Sequence, residues 1–255
     1  MLRILKYIFF DLLRTRFVLA YTVFLLCTTL ALFQLDSDSS KVILSLLNIV
    51  LIAVPLVSII FTTIHFYNSY EFIELMLAQP INRRVVFLGE YFAVATSLVT
   101  SCIIGIGIPA LVFHPGATVS SLLVVAIALT MVFVSLAFLA SVLTRDKAKA
   151  IGIALLFWFY FALVYDGLLL GVMYNFSDYP LEKITLALIA LNPVDLARII
   201  MLLQLDTSAL MGYTGAFYKD FFGTDLGLVF SLAILVVWIF VPLVIASRIF
   251  SRKDL

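Results

Sequence analysis

The sequence predicts an all-α integral membrane protein of six transmembrane helices with both termini in the cytoplasm, and three observations carry that expectation. Hydrophobic residues make up 64% of the 255 positions and charged residues 12%, with a mean hydropathy of +1.21; soluble domains hold roughly 45–50% apolar and about 25% charged residues. Six apolar runs, 17–33, 42–64, 85–113, 119–143, 151–174 and 226–247, are each long enough to cross a hydrocarbon core of about 30 Å. The basic residues fall asymmetrically between the two sides. With the amino terminus inside, Arg3, Lys6, Arg14, Arg16, Arg83, Arg84, Arg145, Lys147, Lys149, Arg248, Arg252 and Lys253 lie in cytoplasmic segments, and only Lys41, Lys183, Arg198 and Lys219 lie outside. Inverting the topology would reverse this positive-inside bias.

Residues 1–16 predict an amphipathic helix in the inner interface. At 100° per residue Leu2, Leu5, Ile8, Phe9, Leu12 and Leu13 share one arc, and Arg3, Lys6, Asp11 and Arg14 the other, toward lipid headgroups. The alternative is a plain extension of the first span. No small-x-small cleavage site follows the first run between Leu32 and Asp38, so it reads as an uncleaved span and not a secretory signal. Cys27 and Cys102 lie inside apolar runs with no second thiol or histidine at ligand spacing, which favours buried small hydrophobes over a metal site or a disulfide framework. Near the end of the third run, Gly105, Gly107 and Pro109 predict a kink or break.

The connections 34–41, 114–118 and 144–150 are short, so the chain reads as one transmembrane domain over 1–255 with two longer connections that hold the function. The cytoplasmic one, 65–84, predicts a helix stopping at Pro80, with Glu71, Glu74 and Ala78 on one face and Phe72, Leu75, Met76 and Gln79 on another. Two carboxylates at i, i+3 repel unless a cation faces them; a basic partner surface supplies one, and so do Arg83 or Arg84. The other reading is a solvated hairpin helix lying on the membrane. The external segment, 175–225, contains its own helix start: Asn192 as N-cap, Pro193 at the first position, Asp195 in the first turn and Arg198 within ion-pair reach of it. This helix runs to about Leu205 and is apolar enough to lie against membrane or spans. Scaffolding explains the segment, and so does docking of an external partner.

Asp166 is the acidic residue deepest in a run, where an ionisable group faces a bundle interior or pathway, or snorkels to the interface. Gly167 and Gly171 beside it form a G-x-x-x-G suited to a dimer seam. Glu90 lies nearer the cytoplasmic end of the third run. The sequence has no G-x-x-x-x-G-K-[ST], H-E-x-x-H or G-x-S-x-G, and its two histidines, His65 and His114, fall on opposite sides of the membrane. Any ATP is therefore expected on another chain, and no catalytic residue or metal site is expected here. Met173, Met201 and Met211 define no copper relay. The formal charge of +1 implies no nucleic acid.

The stretch Glu71-Phe-Ile-Glu-Leu-Met-Leu-Ala-Gln-Pro-Ile-Asn-Arg-Arg84 resembles the membrane subunits of type 2 ABC transporters, with Phe72 and Ile73 where a Gly-Thr pair is common. The resemblance implies a homodimer in a bacterial inner membrane on a pair of cytoplasmic ABC ATPases, which bind ATP and Mg. It makes 65–84 a coupling hairpin, with Glu71, Glu74, Leu75, Pro80, Arg83 and Arg84 as the contact. Asn192-Pro-Val-Asp-Leu-Ala-Arg198 and Ala209-Leu-Met-Gly-Tyr-Thr-Gly-Ala216 are further similar to the NosY family, permeases of nitrous oxide reductase maturation. That likeness implies a periplasmic accessory protein of the NosD type docking near Asn192, Asp195, Arg198 and Tyr213, in service of a copper-sulfur site. A scaffold that anchors partners without an ATP cycle, and an exporter of another small substrate, are the alternatives.

Overall fold

The computed structural model describes residues 2–36, 38–175, 187–205 and 225–252; Tyr213 and the block 209–216 lie outside them. Among the described residues six helices are long and apolar enough to cross a membrane, which makes the chain a multi-pass membrane protein. The elements are α1 (Leu2–Leu13), α2 (Arg16–Leu35), α3 (Ser39–Asn68), α4 (Tyr70–Leu77), α5 (Arg83–Phe113), α6 (Ala117–Leu143), α7 (Lys147–Asn175), α8 (Pro193–Gln204) and α9 (Asp225–Arg252). Helices α2, α3, α5, α6, α7 and α9 are the spans.

Short polar residues start several of these helices by capping backbone N–H groups that have no intrahelical acceptor. Asp38 accepts from Ser40 N, Asn82 from Arg84 N, and Asp146 from Ala148 N and Lys149 N. Extended backbone at Thr15 separates α1 from α2, so residues 2–13 are an element of their own and not an extension of the first span. Ile8 and Leu12 are buried where α1 packs along α5.

Helix α6 is the centre of the bundle. Two thirds of its most apolar stretch is buried, against about a fifth for α2 and α7, and α3, α9, α5 and α8 all pack on it. Phe66, Phe87, Tyr91, Phe138 and Phe250 form an aromatic cluster joining α3, α5, α6 and α9, edge-to-face except for the tilted pair Phe87 and Phe250. At the hairpin end of the bundle the Tyr67 hydroxyl donates to the carbonyls of Ser141 and Thr144. At the far end Ser39 Oγ lies 2.6 Å from His114 Nε2.

Glycine and proline shape α5 in the expected place, without breaking it. Helix continues past Gly105 and Gly107, and a wider π turn over Ile103–Gly107 relieves the clash of the Pro109 ring with the preceding turn. A Cβ on Gly105 would stand 2.5 Å from Leu25 Cβ, so the glycine lets α2 and α5 touch. The expectation for the cysteines holds for one. Cys102 is buried within 3.6 Å of Tyr21 and Thr130 hydroxyls. Cys27 is exposed, because α2 buries only the stripe of Val18, Tyr21, Leu25 and Thr29 and Cys27 lies off it.

Candidate functional site

Two polar surfaces occupy opposite ends of the bundle. The first is α4 and the turn after it. Ser69 alone separates α4 from α3, and its carbonyl accepts from Ile73 N at 2.9 Å. Ile73 is buried against the core while Phe72, Met76 and Leu77 pack partly on it. That apolar edge turns the other face outward, and Glu71, Glu74 and Leu75 are exposed on it, Leu75 by 69%. The sequence pattern set Leu75 apart from the glutamates; anchoring through Ile73 places the three together. The helix ends at Leu77, and Pro80, Arg83 and Arg84 are exposed beyond it, where Asn82 starts α5. An exposed leucine flanked by two carboxylates and followed by two guanidinium groups is a surface suited to a protein partner, with an apolar centre and a charged rim.

The second surface lies where α7 meets α8. Asn192 accepts from Val194 N as an N-cap, and its Nδ2 donates to the carbonyl of Phe161 at 2.9 Å and to Asp195 Oδ2 at 2.7 Å. Phe161 lies in a second π turn, Tyr160–Val164, so one side chain both starts α8 and fastens it to the widened part of α7. Arg198 Nη1 donates to Asp166 Oδ2 at 2.8 Å and to Asp195 Oδ1 at 3.2 Å. Upstream, the Tyr165 hydroxyl donates to the Leu188 carbonyl at 2.6 Å and Trp238 Nε1 to the Ala190 carbonyl at 3.2 Å.

These bonds hold α8 inside the bundle, with Leu196, Ala197 and Met201 fully buried. Asn192 is 0% and Asp195 5% exposed, so both face α7; Arg198 and Asp166 are each about a third exposed at side-chain level. Of the four residues expected to meet an external partner, Arg198 is the one described at the surface. Burial, and then the neighbouring Asp166 carboxyl, push the Asp195 carboxyl up to about 7, against the lowering pull of Arg198 and Asn192. Asp166, Asp195 and Arg198 line a cavity of about 190 Å³ whose other walls are Leu169, Leu170, Ile189 and Ile199.

Gly167 and Gly171 stand apart from this network. A Cβ on either would meet nothing within 4 Å, so the chain leaves that face of α7 open. Sequence reading found Asn192 through its cap and Arg198 through its spacing from Asp195. Missed were Tyr165 and Trp238, and the signal available was a pair of polar-tipped aromatics inside apolar runs, each of which needs a hydrogen-bond acceptor when buried.

Comparison with known proteins bears on most of the chain. The curated relatives it matches include two described as probable ABC transporter permease protein NosY. The one from Pseudomonas aeruginosa is 32% identical over 153 residues, 54% of this chain and 54% of the relative. The one from Stutzerimonas stutzeri is 29% identical over 191 residues, 70% of this chain and 67% of the relative. The chain thus spans about half the length of the first relative. A family model described as ABC-2 family transporter protein matches residues 34–255, from the end of α2 through the hairpin, the buried helix α8 and the last span, and on that match the chain belongs to the ABC-2 transporter family.

Proposed function

We propose that this chain is the permease of an ABC complex in a bacterial inner membrane. Two copies carry ATP-driven movement from a separate pair of cytoplasmic ATPases to a periplasmic partner. The observation that carries the reading is the exposed face of α4, where Glu71, Glu74 and Leu75 stand together on a helix tied to α3 and α5. Basic residues of an ATPase surface would satisfy the two carboxylates, and Leu75 would fill an apolar recess. Pro80, Arg83 and Arg84 complete the contact.

On this reading the spans run with both termini and α4 in the cytoplasm, α1 lies in the inner interface, and α8 belongs to the periplasmic side. The open glycine face of α7 is the dimer seam, and Asp166 borders either a pathway or the external dock. ATP and Mg belong to the partner chain, and this chain binds no cofactor. The likeness to NosY permeases supports a role in maturing the copper-sulfur site of nitrous oxide reductase, with a periplasmic protein of the NosD type as partner. Arg198 and the segment carrying Tyr213 are the external contact, while Asn192 and Asp195 hold α8 in place beneath it.

Charge reversal tests the reading. Glu71→Lys with Glu74→Lys should leave membrane insertion and dimer mass unchanged while the ATPase no longer co-purifies or no longer hydrolyses ATP in step with function. Unchanged coupling removes the assignment of α4. Purification in mild detergent that brings down no P-loop ATPase favours a scaffold without an ATP cycle.

A further inference from the structure

His65 stands where four elements meet. Its imidazole stacks on Phe61, one turn earlier in α3, with ring centres 6.0 Å apart; Phe61 stacks in turn on Phe17 at the start of α2, 4.9 Å away. Its Nε2 lies 3.3 Å from Glu90 Oε2 on α5 and 3.3 Å from the Oγ of Ser69, the residue that joins α3 to α4. The path from α4 through Ser69 and His65 to Glu90 therefore ties the hairpin helix to α5 through one ring.

Glu90 is 2% exposed, and its second oxygen, Oε1, has no hydrogen-bond partner. A carboxyl inside an apolar span is costly and is normally paired or in use. A buried polar atom left without a partner calls for an explanation. The hydroxyls of Ser58 and Thr62, about two turns and one turn before His65 on the same stripe of α3, are buried and partnerless too. The two contacts of the imidazole are at the long end of the hydrogen-bond range, so a shift of the ring by about an ångström breaks both. A half-satisfied carboxyl beside a long contact has a second arrangement within reach, in which movement of the hairpin re-pairs it.

We propose that Glu90, acting through His65, is a positioning residue that converts displacement of α4 into displacement of α5. The pair works as a relay with two hydrogen-bonded arrangements. The inference rests on α4 being the ATPase contact and adds the route by which its movement enters the bundle.

The test uses the complete complex with its ATPase in lipid nanodiscs and the exposed thiol replaced by Cys27→Ser. Spin labels are placed at Gln79→Cys just past the end of α4 or Val112→Cys at the far end of α5, both exposed and neither in the proposed ATPase contact, and label distances across the dimer are compared with and without a non-hydrolysable ATP analogue. In the parent both labels shift. Glu90→Leu keeps an apolar volume without the carboxyl, so the protein stays folded. It should leave the Gln79 shift intact and reduce the population carrying the Val112 shift by roughly tenfold, the worth of one buried hydrogen bond. The exchange variant His65→Glu with Glu90→His restores the pair and should recover the Val112 shift, which a purely packing role would not produce. A full Val112 shift in Glu90→Leu, or no recovery on exchange, overturns the relay alone. A parent in which the Gln79 label does not move overturns the coupling role of α4 and the relay with it.

Discussion

Removing the guanidinium of Arg198 should destabilise the far end of the bundle by an amount set by the burial of its partners. Nη1 donates to Asp166 at 2.8 Å and to Asp195 at 3.2 Å, and the three side chains are 35%, 33% and 6% exposed. Arg198→Met keeps an apolar stem and deletes both bonds. It leaves Asp195 buried beside a second carboxyl. Breaking a fully buried pair costs about 3–5 kcal/mol, and an exposed pair contributes ~0–1 kcal/mol. One buried partner of three places this site between them, at about 2–3 kcal/mol, which lowers Tm by roughly 5–10 °C for a chain of this length. Thermal unfolding of the purified protein in mild detergent at a pH above about 7, where Asp195 is ionised, reads the change. Adding Asp195→Asn should recover more than half of the loss, because the amide still accepts from Asn192 Nδ2 and donates toward Asp166. A melting temperature for Arg198→Met within ~1 °C of wild type, or no recovery in the double variant, would refute the argument that α8 is held by charge and not by apolar packing alone.

The same site predicts a pH dependence. Asp195 in the folded protein holds its proton up to about 7, whereas unfolded it releases it near the ordinary value of 3.8. The folded state therefore binds more protons across that interval, and stability falls as pH rises through it and levels off above 7. Tm measured against pH for wild type minus Asp195→Asn should show this slope, and a flat difference would remove it. Gly105→Ala forces a Cβ to 2.5 Å from Leu25 Cβ and 3.1 Å from the Thr22 carbonyl, so α2 must move off α5 at a cost of about 1–3 kcal/mol, again read as a fall in Tm. Gly167→Leu with Gly171→Leu meets open space within the protomer; monomer stability should hold while the dimer fraction by light scattering falls, and an unchanged dimer would place the seam elsewhere.

What was legible in the sequence is what depends on one stretch of chain and its solvent. The six spans and the start of α8 at Asn192 were of this kind, since run length, a side-chain cap and a proline at the first helical position act locally. Contacts between distant stretches were not. Nothing near Asn192 says that its amide reaches the Phe161 carbonyl, because that acceptor is set free by a π turn thirty-one positions earlier. Nothing near Gly105 says that Leu25 needs its missing Cβ. The hairpin shows the two kinds side by side. Its helix and its proline were readable, yet the partition of its faces was decided by Ile73 sinking into the core, which carried Leu75 to the outside with the glutamates. Both polar surfaces share one construction: a helix outside the spans is held near its start to a span, α4 through Ser69 and His65 to α5, and α8 through Asn192 and Arg198 to α7. Of the two, α4 is exposed beyond its fastening, at Glu74 and Leu75, and can tilt about that point, whereas α8 stays buried as far as Met201. That makes the fastening residues, and not only the exposed ones, the positions where a substitution should separate partner binding from transmission of movement.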